Sequence, residues 1–159
     1  SAATSVRVGQ AVGRGDTPGA RRAGLTGIGA GTAYMGLCAL VLAAFPESVA
    51  GLLTDQAGVL AAAVPLVQIA AIFQLSDGLQ VVAAGALRGA GDTRTSFAVT
   101  LVGHYGLGLP AGLALTHLAG MGAPGLWWGL LIGLSVVGIS LTAWFIRLSS
   151  RPIDRIAPA

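Results

Sequence analysis

The chain has 159 residues, 54% of them hydrophobic and only 9% charged, with 25 glycines and a formal net charge of +3. So few charges do not coat a water-soluble domain. A nucleic-acid partner is excluded as well, because the basic residues flank apolar runs rather than forming one contiguous basic face. The composition is that of a membrane protein whose immediate partner is the lipid bilayer.

Ser1 to Val8 carry neither an initiator methionine nor a charged stretch followed by a cleavage pattern, so they are not a signal peptide and read as the continuation of a longer polypeptide. The phrase Gly13-Arg14-Gly15-Asp16-Thr17 follows, and it recurs 76 positions later as Gly89-Ala90-Gly91-Asp92-Thr93. Gly-x-Gly-Asp also occurs in membrane-embedded aspartyl proteases. Those enzymes, however, need two carboxylates facing one another deep inside helices, whereas Asp16 and Asp92 stand beside arginines at the ends of apolar runs. The phrase reads instead as a turn used twice, in which glycines end one helix in a left-handed conformation and Asp-Thr caps the next. Two copies on one side of a membrane point to an internal repeat of helix pairs.

No charge falls between Arg22 and Glu47, between Asp55 and Asp77, or in the 52 residues between Arg94 and Arg147. Each gap exceeds the roughly 20 apolar residues that cross a bilayer. The first predicted span is Ala23–Phe45, with Gly27 and Gly31 as a small-residue ridge and the lone Cys38 as a packing residue. The second is Ala57–Leu87, with Pro65 inside it. The third, Thr95–Leu118, holds His104, Tyr105, Gly108, Pro110 and Gly112; a break at Gly120-Met121-Gly122-Ala123-Pro124 separates it from the fourth, Pro124–Ile146, with Gly125, Gly129 and Gly133. Both prolines permit a bend. Phe45, Trp127, Trp128, Trp144 and Phe145 fall near span ends, where an aromatic belt belongs. All nine basic residues are arginines in alternate connections: Arg7, Arg14, Arg21 and Arg22; Arg88 and Arg94; Arg147, Arg151 and Arg155. The positive-inside rule puts these segments, and both ends of the chain, in the cytoplasm. The fold class is therefore all-α, a polytopic bundle of four spanning helices.

Asp77 is the acid that needs explaining. It lies eleven residues before Arg88, roughly 16 Å along a helix and near the middle of a hydrocarbon core about 30 Å thick. A carboxylate there costs about 2.5 to 3.5 kcal/mol unless paired or neutralised. Gln74 and Gln80 share an arc of about 120° with it, a polar stripe facing the bundle interior. Asp77 reads as a protonatable or cation-binding group; His104 and Tyr105, at comparable depth, are candidates for a substrate or proton path. No metal cluster, nucleophile triad or phosphate-cradling loop is present in the sequence, so catalysis, a cofactor and a resident metal are not expected.

The residues Ser5-Val6-Arg7-Val8-Gly9-Gln10-Ala11 through Gly15-Asp16, and above all Phe73-Gln74 with Asp77-Gly78-Leu79-Gln80 running into Gly85-Ala86-Leu87-Arg88-Gly89-Ala90-Gly91-Asp92-Thr93, are similar to the carboxy-terminal half of multidrug and toxic compound extrusion (MATE) transporters. Leu109-Pro110 and Gly122-Ala123-Pro124-Gly125-Leu126-Trp127-Trp128-Gly129-Leu130 extend the resemblance. It implies twelve helices in two lobes, with residues 1–22 as the end of a preceding helix and a cytoplasmic loop, 23–147 as a four-helix membrane segment of the C-terminal lobe, and 148–159 as a cytoplasmic tail. It also implies antiport, in which small cationic amphiphilic drugs leave as H+ or Na+ enters, while the richness in glycine and alanine and the absence of lysine point to a GC-rich genome and so to a bacterial inner membrane. Asp77 matches the acidic position of the tenth helix that takes part in cation binding, so that Na+ at Asp77 is one expectation. The N-terminal lobe and the partner acid of the seventh helix would lie outside this chain. Two alternatives are weighed beside it: a lipid-linked saccharide flippase, which favours basic residues within the spans, and a channel or structural membrane subunit.

Overall fold

The repeated phrase sets the ends of four helices. In the computed structural model, which describes residues 1–153, α1 (Ala2–Gly13) closes at the first copy and α2 (Thr17–Ala44) opens from it; α4 (Ala57–Gly89) closes at the second copy and α5 (Thr93–Leu101) opens from it. The hydrogen bonds match position by position. Asp16 N–H donates to Ala11 O at 2.9 Å and Asp92 N–H to Leu87 O at 3.0 Å; Gly15 N–H reaches Val12 O at 2.9 Å and Gly91 N–H reaches Arg88 O at 3.1 Å. This closure returns a bond to carbonyls that a helix end leaves unpaired. It needs a left-handed residue, which Gly15 (φ 72°) and Gly91 (φ 86°) supply. Each aspartate then caps the next helix, Asp16 Oδ1 accepting from Gly19 N–H at 2.8 Å and Asp92 Oδ1 from Thr95 N–H at 3.1 Å. The expected turn is present in both copies.

Four helical stretches are long and apolar enough to cross a membrane: Thr17–Ala44, Ala57–Gly89, Thr93–His117 and Ala123–Leu148. The first begins six residues before the predicted Ala23, because the Asp16 cap and Pro18 start the helix ahead of the apolar run. The third stretch is composite: α5, a π-helical segment Val102–Gly108, and α6 (Leu109–His117). The predicted break before α7 (Ala123–Leu148) is a turn with Gly120 and Gly122 at positive φ. A short helix, α3 (Pro46–Gly51), was not expected; Pro46 and Glu47 in its first turn favour it locally.

Helix α4 lies at the centre, packed on α1, α2 and α7, while α7 also covers α6 and the π-helical segment. The main core gathers beside the two turns, where Val8, Ala20, Ile28, the α4 run Val82–Leu87, Val137, Leu141 and Phe145 meet. Phe145 corrects the aromatic-belt expectation. It is fully buried, because Gly24 on α2 has no Cβ and the ring fills that space. Trp144 does lie near the helix end, with its indole N–H donating to Asp92 Oδ2 at 2.7 Å. Arg21 reaches Ser150 Oγ at 2.6 Å, so the three arginine-bearing segments gather at one end of the bundle; Arg155 lies outside the described residues.

Seams of small residues join the helices, as the spacing predicts. A Cβ on Gly133 would stand 2.8 Å from Gly103 O and from Gly108 Cα, so the fourth span meets the third backbone to backbone, which hydrophobic drive alone does not achieve in lipid. Gly133→Val should destabilise the bundle by about 1–3 kcal/mol. Gly29→Ala, where a Cβ meets nothing within 4 Å, should change stability by less than about 1 kcal/mol, both measured by loss of helical signal in mild detergent.

The carboxyl of Asp92 titrates below its ordinary range. Partial burial opposes this by favouring the neutral form, but hydrogen bonds from Trp144 and from the side chain and backbone of Thr95 outweigh it. A lowered folded pKa stabilises the fold above the ordinary carboxylate range, and that contribution disappears as pH falls through the folded value. Asp92→Ala should therefore cost about 1 kcal/mol at neutral pH, as lost caps do, and Trp144→Phe a part of it. In acid below both values, wild type and Trp144→Phe should unfold together in a pH series of thermal melts.

Candidate functional site

Helix α4 runs unbroken from Ala57 to Gly89 through Pro65. Asp77 therefore sits inside it, twelve residues and about 18 Å from its C-terminal end. The neighbours of Asp77 show which way each face of α4 looks. Leu75, Gly78 and Val82 meet Gly36, Met35 and Gly31 on α2. Ser76 and Gln80 face α7: the Ser76 and Ser135 hydroxyls share a hydrogen bond of 2.7 Å, and Gly138 lies against Ser76 O and Gln80 N. At 100° per residue Asp77 falls between these two faces, on the arc of Val81, Ala84 and Arg88. It is half-buried, and among the described residues no hydrogen bond engages its carboxylate.

Gln80, one turn along, opens onto a cavity of about 590 Å³ shared with Phe97, Thr100, Leu101, His104, Tyr105, Leu109 and Leu130. A second space of about 360 Å³ continues from it past Val81 and Ala84 to Arg88. The structure thus brings Gln80, His104 and Tyr105 together, while Asp77 and Gln74 are not among the residues lining either space. Gln80 Oε1 is buried without a hydrogen-bond partner among the described residues, an acceptor available to a ligand donor or a water. His104 Nδ1–H donates to Thr100 O at 3.0 Å, which leaves Nε2 as an acceptor when the ring is neutral. Tyr105 is 68% exposed.

The backbone here departs from the regular helix that the sequence predicts. Pro110 has no N–H to give and its ring crowds the carbonyl four residues back, and the wider π-helical turn of Val102–Gly108 relieves both. One consequence is that His104 and Tyr105 stand on a π-helical stretch that packs on α7 and looks across the cavity to Gln80 of α4. Sequence reasoning missed Phe97, Thr100 and the Ser76–Ser135 pair. Thr100, four residues before His104, was visible as a polar neighbour on one helix face; Ser135 gave no signal, since only the packing of α4 on α7 chooses its partner.

The MatE family model matches residues 1–113. The chain belongs to that family. It is 44% identical over 153 residues to the multidrug resistance protein NorM of Burkholderia vietnamiensis, covering 93% of this chain and 33% of that protein. Against the probable multidrug resistance protein NorM of Deinococcus radiodurans it is 46% identical over 151 residues, 92% of this chain and 34% of the relative. The like-named protein of Pseudomonas aeruginosa is 45% identical over 160 residues, 98% of this chain and 33% of the relative. The chain thus spans about a third of the curated relatives it matches. With four apolar helices, this MatE chain is a multi-pass membrane protein.

The Ser76–Ser135 bond is the polar link between α4 and α7 nearest Asp77. A double-mutant cycle of Ser76→Ala and Ser135→Ala should give a coupling of about 0.6 kcal/mol, typical of interhelical hydrogen bonds in lipid, read from unfolding in detergent.

Proposed function

We propose that this chain is part of the carboxy-terminal lobe of a secondary active antiporter that exports small cationic, amphiphilic drugs in exchange for H+ or Na+. The observation that carries the reading is Asp77. It is an acid well inside a continuous apolar helix, on an arc that neither α2 nor α7 covers, in a chain whose relatives are named multidrug resistance proteins. Helix-embedded carboxylates are expensive in lipid and mark ion pathways. A proton or a sodium ion at Asp77 removes that expense, so binding favours whichever arrangement of the lobes encloses the site; release reverses the preference and drives alternating access.

Gln74 and Gln80 flank Asp77 one helical turn to either side and would serve as polar support for a bound ion. His104, Tyr105 and Gln80 line a mostly apolar cavity, a lining suited to an amphiphile that presents one hydrogen-bond donor to Gln80 Oε1. The uncovered arc of Asp77 is where the amino-terminal lobe, supplied by the rest of a longer polypeptide, would pack. The gathering of three arginine-bearing segments at one end supports a cytoplasmic position for both ends of the segment at a bacterial inner membrane.

Asp77→Asn in the intact transporter should abolish ion-driven drug efflux while leaving membrane insertion unchanged. Efflux is followed as fluorescent-cation loss from cells, with the proton and sodium gradients collapsed one at a time to identify the coupling ion. Normal efflux by Asp77→Asn would remove this carboxylate from the mechanism.

A further inference from the structure

We infer that His104 makes its cavity reject cations once the imidazole is protonated, so that a proton and a cationic ligand exclude one another there. The hydrogen bond to Thr100 fixes the chemistry. A carbonyl oxygen can only accept, so Nδ1 carries a hydrogen in the neutral and the charged ring alike, and the added proton enters only at Nε2. Among the described residues Nε2 has no hydrogen-bond partner, and unlike Gln80 Oε1 it is not sealed off. The neutral ring therefore offers the cavity a lone pair, and the protonated ring offers it a positive charge. The inference rests on the reading of this cavity as a place for cationic amphiphiles, and it gives that place a proton-responsive group separate from Asp77.

No described acid offsets that charge. On α4 the facing residue is Gln80; Arg88, about two turns on, lines only the adjoining space and is itself positive, and Asp77 lines neither. Helix α7 presents Leu130 and carries no ionisable side chain before Arg147. On the third span the near neighbours are Thr100 and Tyr105, while Asp92 and Arg94 lie at its start and His117 at its end. The lining comes from α4, α5, the π-helical segment, α6 and α7 alone. Ser1 lies against Gly85, about 140° round α4 from Gln80, so the start of the chain is on another side of that helix. A space of about 590 Å³ is roughly 10 Å across, and two like charges held that close at a protein-like dielectric repel enough to change affinity about tenfold or more. Histidine is the side chain suited to such a switch near neutral pH.

The test measures equilibrium binding of tetraphenylphosphonium, a cation whose charge does not change with pH, to the intact transporter in nanodiscs without ion gradients. Each protein is read as the ratio of its Kd at about pH 5 to its Kd at about pH 8, the span over which imidazole ordinarily changes charge, so that an overall change in affinity cancels. The wild-type ratio should exceed that of His104→Gln by at least about tenfold, and Asp77→Asn should exceed Asp77→Asn/His104→Gln by the same factor. Triphenylphosphine oxide, uncharged and of similar shape, should bind wild type no more weakly in acid. By reciprocity, saturating tetraphenylphosphonium should make His104 harder to protonate by that factor, seen in the titration of its ring nitrogens by nuclear magnetic resonance; a histidine that only packs would not respond. Leu130→Trp, which fills the cavity, and Phe97→Ala, which removes an aromatic face, should each weaken binding of the cation, with circular dichroism checking that both fold. Equal ratios in wild type and His104→Gln, or a ring titration that ignores the ligand, would overturn the inference and leave the reading of the cavity standing. Unchanged binding in both cavity variants would put the probe elsewhere and overturn both. Loss of the uncharged probe in acid would mean a collapsed site and would also overturn the inference. None of these readouts involves ion coupling, so a failed role for Asp77 would leave them unchanged.

Discussion

A helix that ends at a membrane surface must not leave its last carbonyls and its successor's first N–H groups unpaired, and the rest of this structure depends on how that is met. In lipid or at its edge each stranded group costs free energy of the order of a kcal/mol or more. Here five residues meet the requirement twice. A left-handed glycine folds the chain back onto its own carbonyls, and the aspartate after it supplies the oxygen that opens the next helix. The two turns bring the ends of α1, α2 and α4 together, α7 joins them there, and the main core forms beside them.

The two copies are alike in backbone and different in what they hold. The second aspartate accepts a further bond from Trp144 near the end of α7, while beside the first it is Arg21 that reaches α7, through Ser150. The last helix is thereby tied to both turns. The two copies are thus asymmetric in their third partner: the second turn is pinned through its aspartate, while among the described residues no hydrogen bond engages Arg7, Arg14 or Arg22 around the first. Gly24 and Phe145 show the same coupling in the apolar layer, since a ring from α7 occupies the space that a missing side chain on α2 provides.

Within the third span, cavity-lining polar side chains and backbone irregularity coincide. A proline at the start of α6 forces an adjustment, the π-helical segment absorbs it, and the residues so turned include His104 and Tyr105. Their cavity is closed on the other side by Gln80, one turn from Asp77. Asp77 and Gln80 are thus neighbours on one helix, but of the two only Gln80 lines the cavity.

Much of this was legible in the chain itself. Charge-free runs longer than a bilayer is thick fix four spans, the spacing of Gly125, Gly129 and Gly133 announces a close helix seam, and the repeated phrase encodes its own turn, because each of these rests on local chemistry or on the length of the lipid core. The sequence also singles out Asp77 as the acid inside an apolar run. What it left undecided is direction. The arc assigned to Asp77, Gln74 and Gln80 as a single stripe divides once α7 takes Gln80 and Ser76 and leaves Asp77 uncovered; Phe145 becomes core rather than belt because Gly24 lies opposite. Ser135 and Thr100 join the site only through packing between helices far apart in the chain. Such outcomes follow from which helix faces approach, and with no hydrophobic force to sort faces in lipid, that is set by side-chain shape and hydrogen bonding across the assembled bundle, which no local pattern contains.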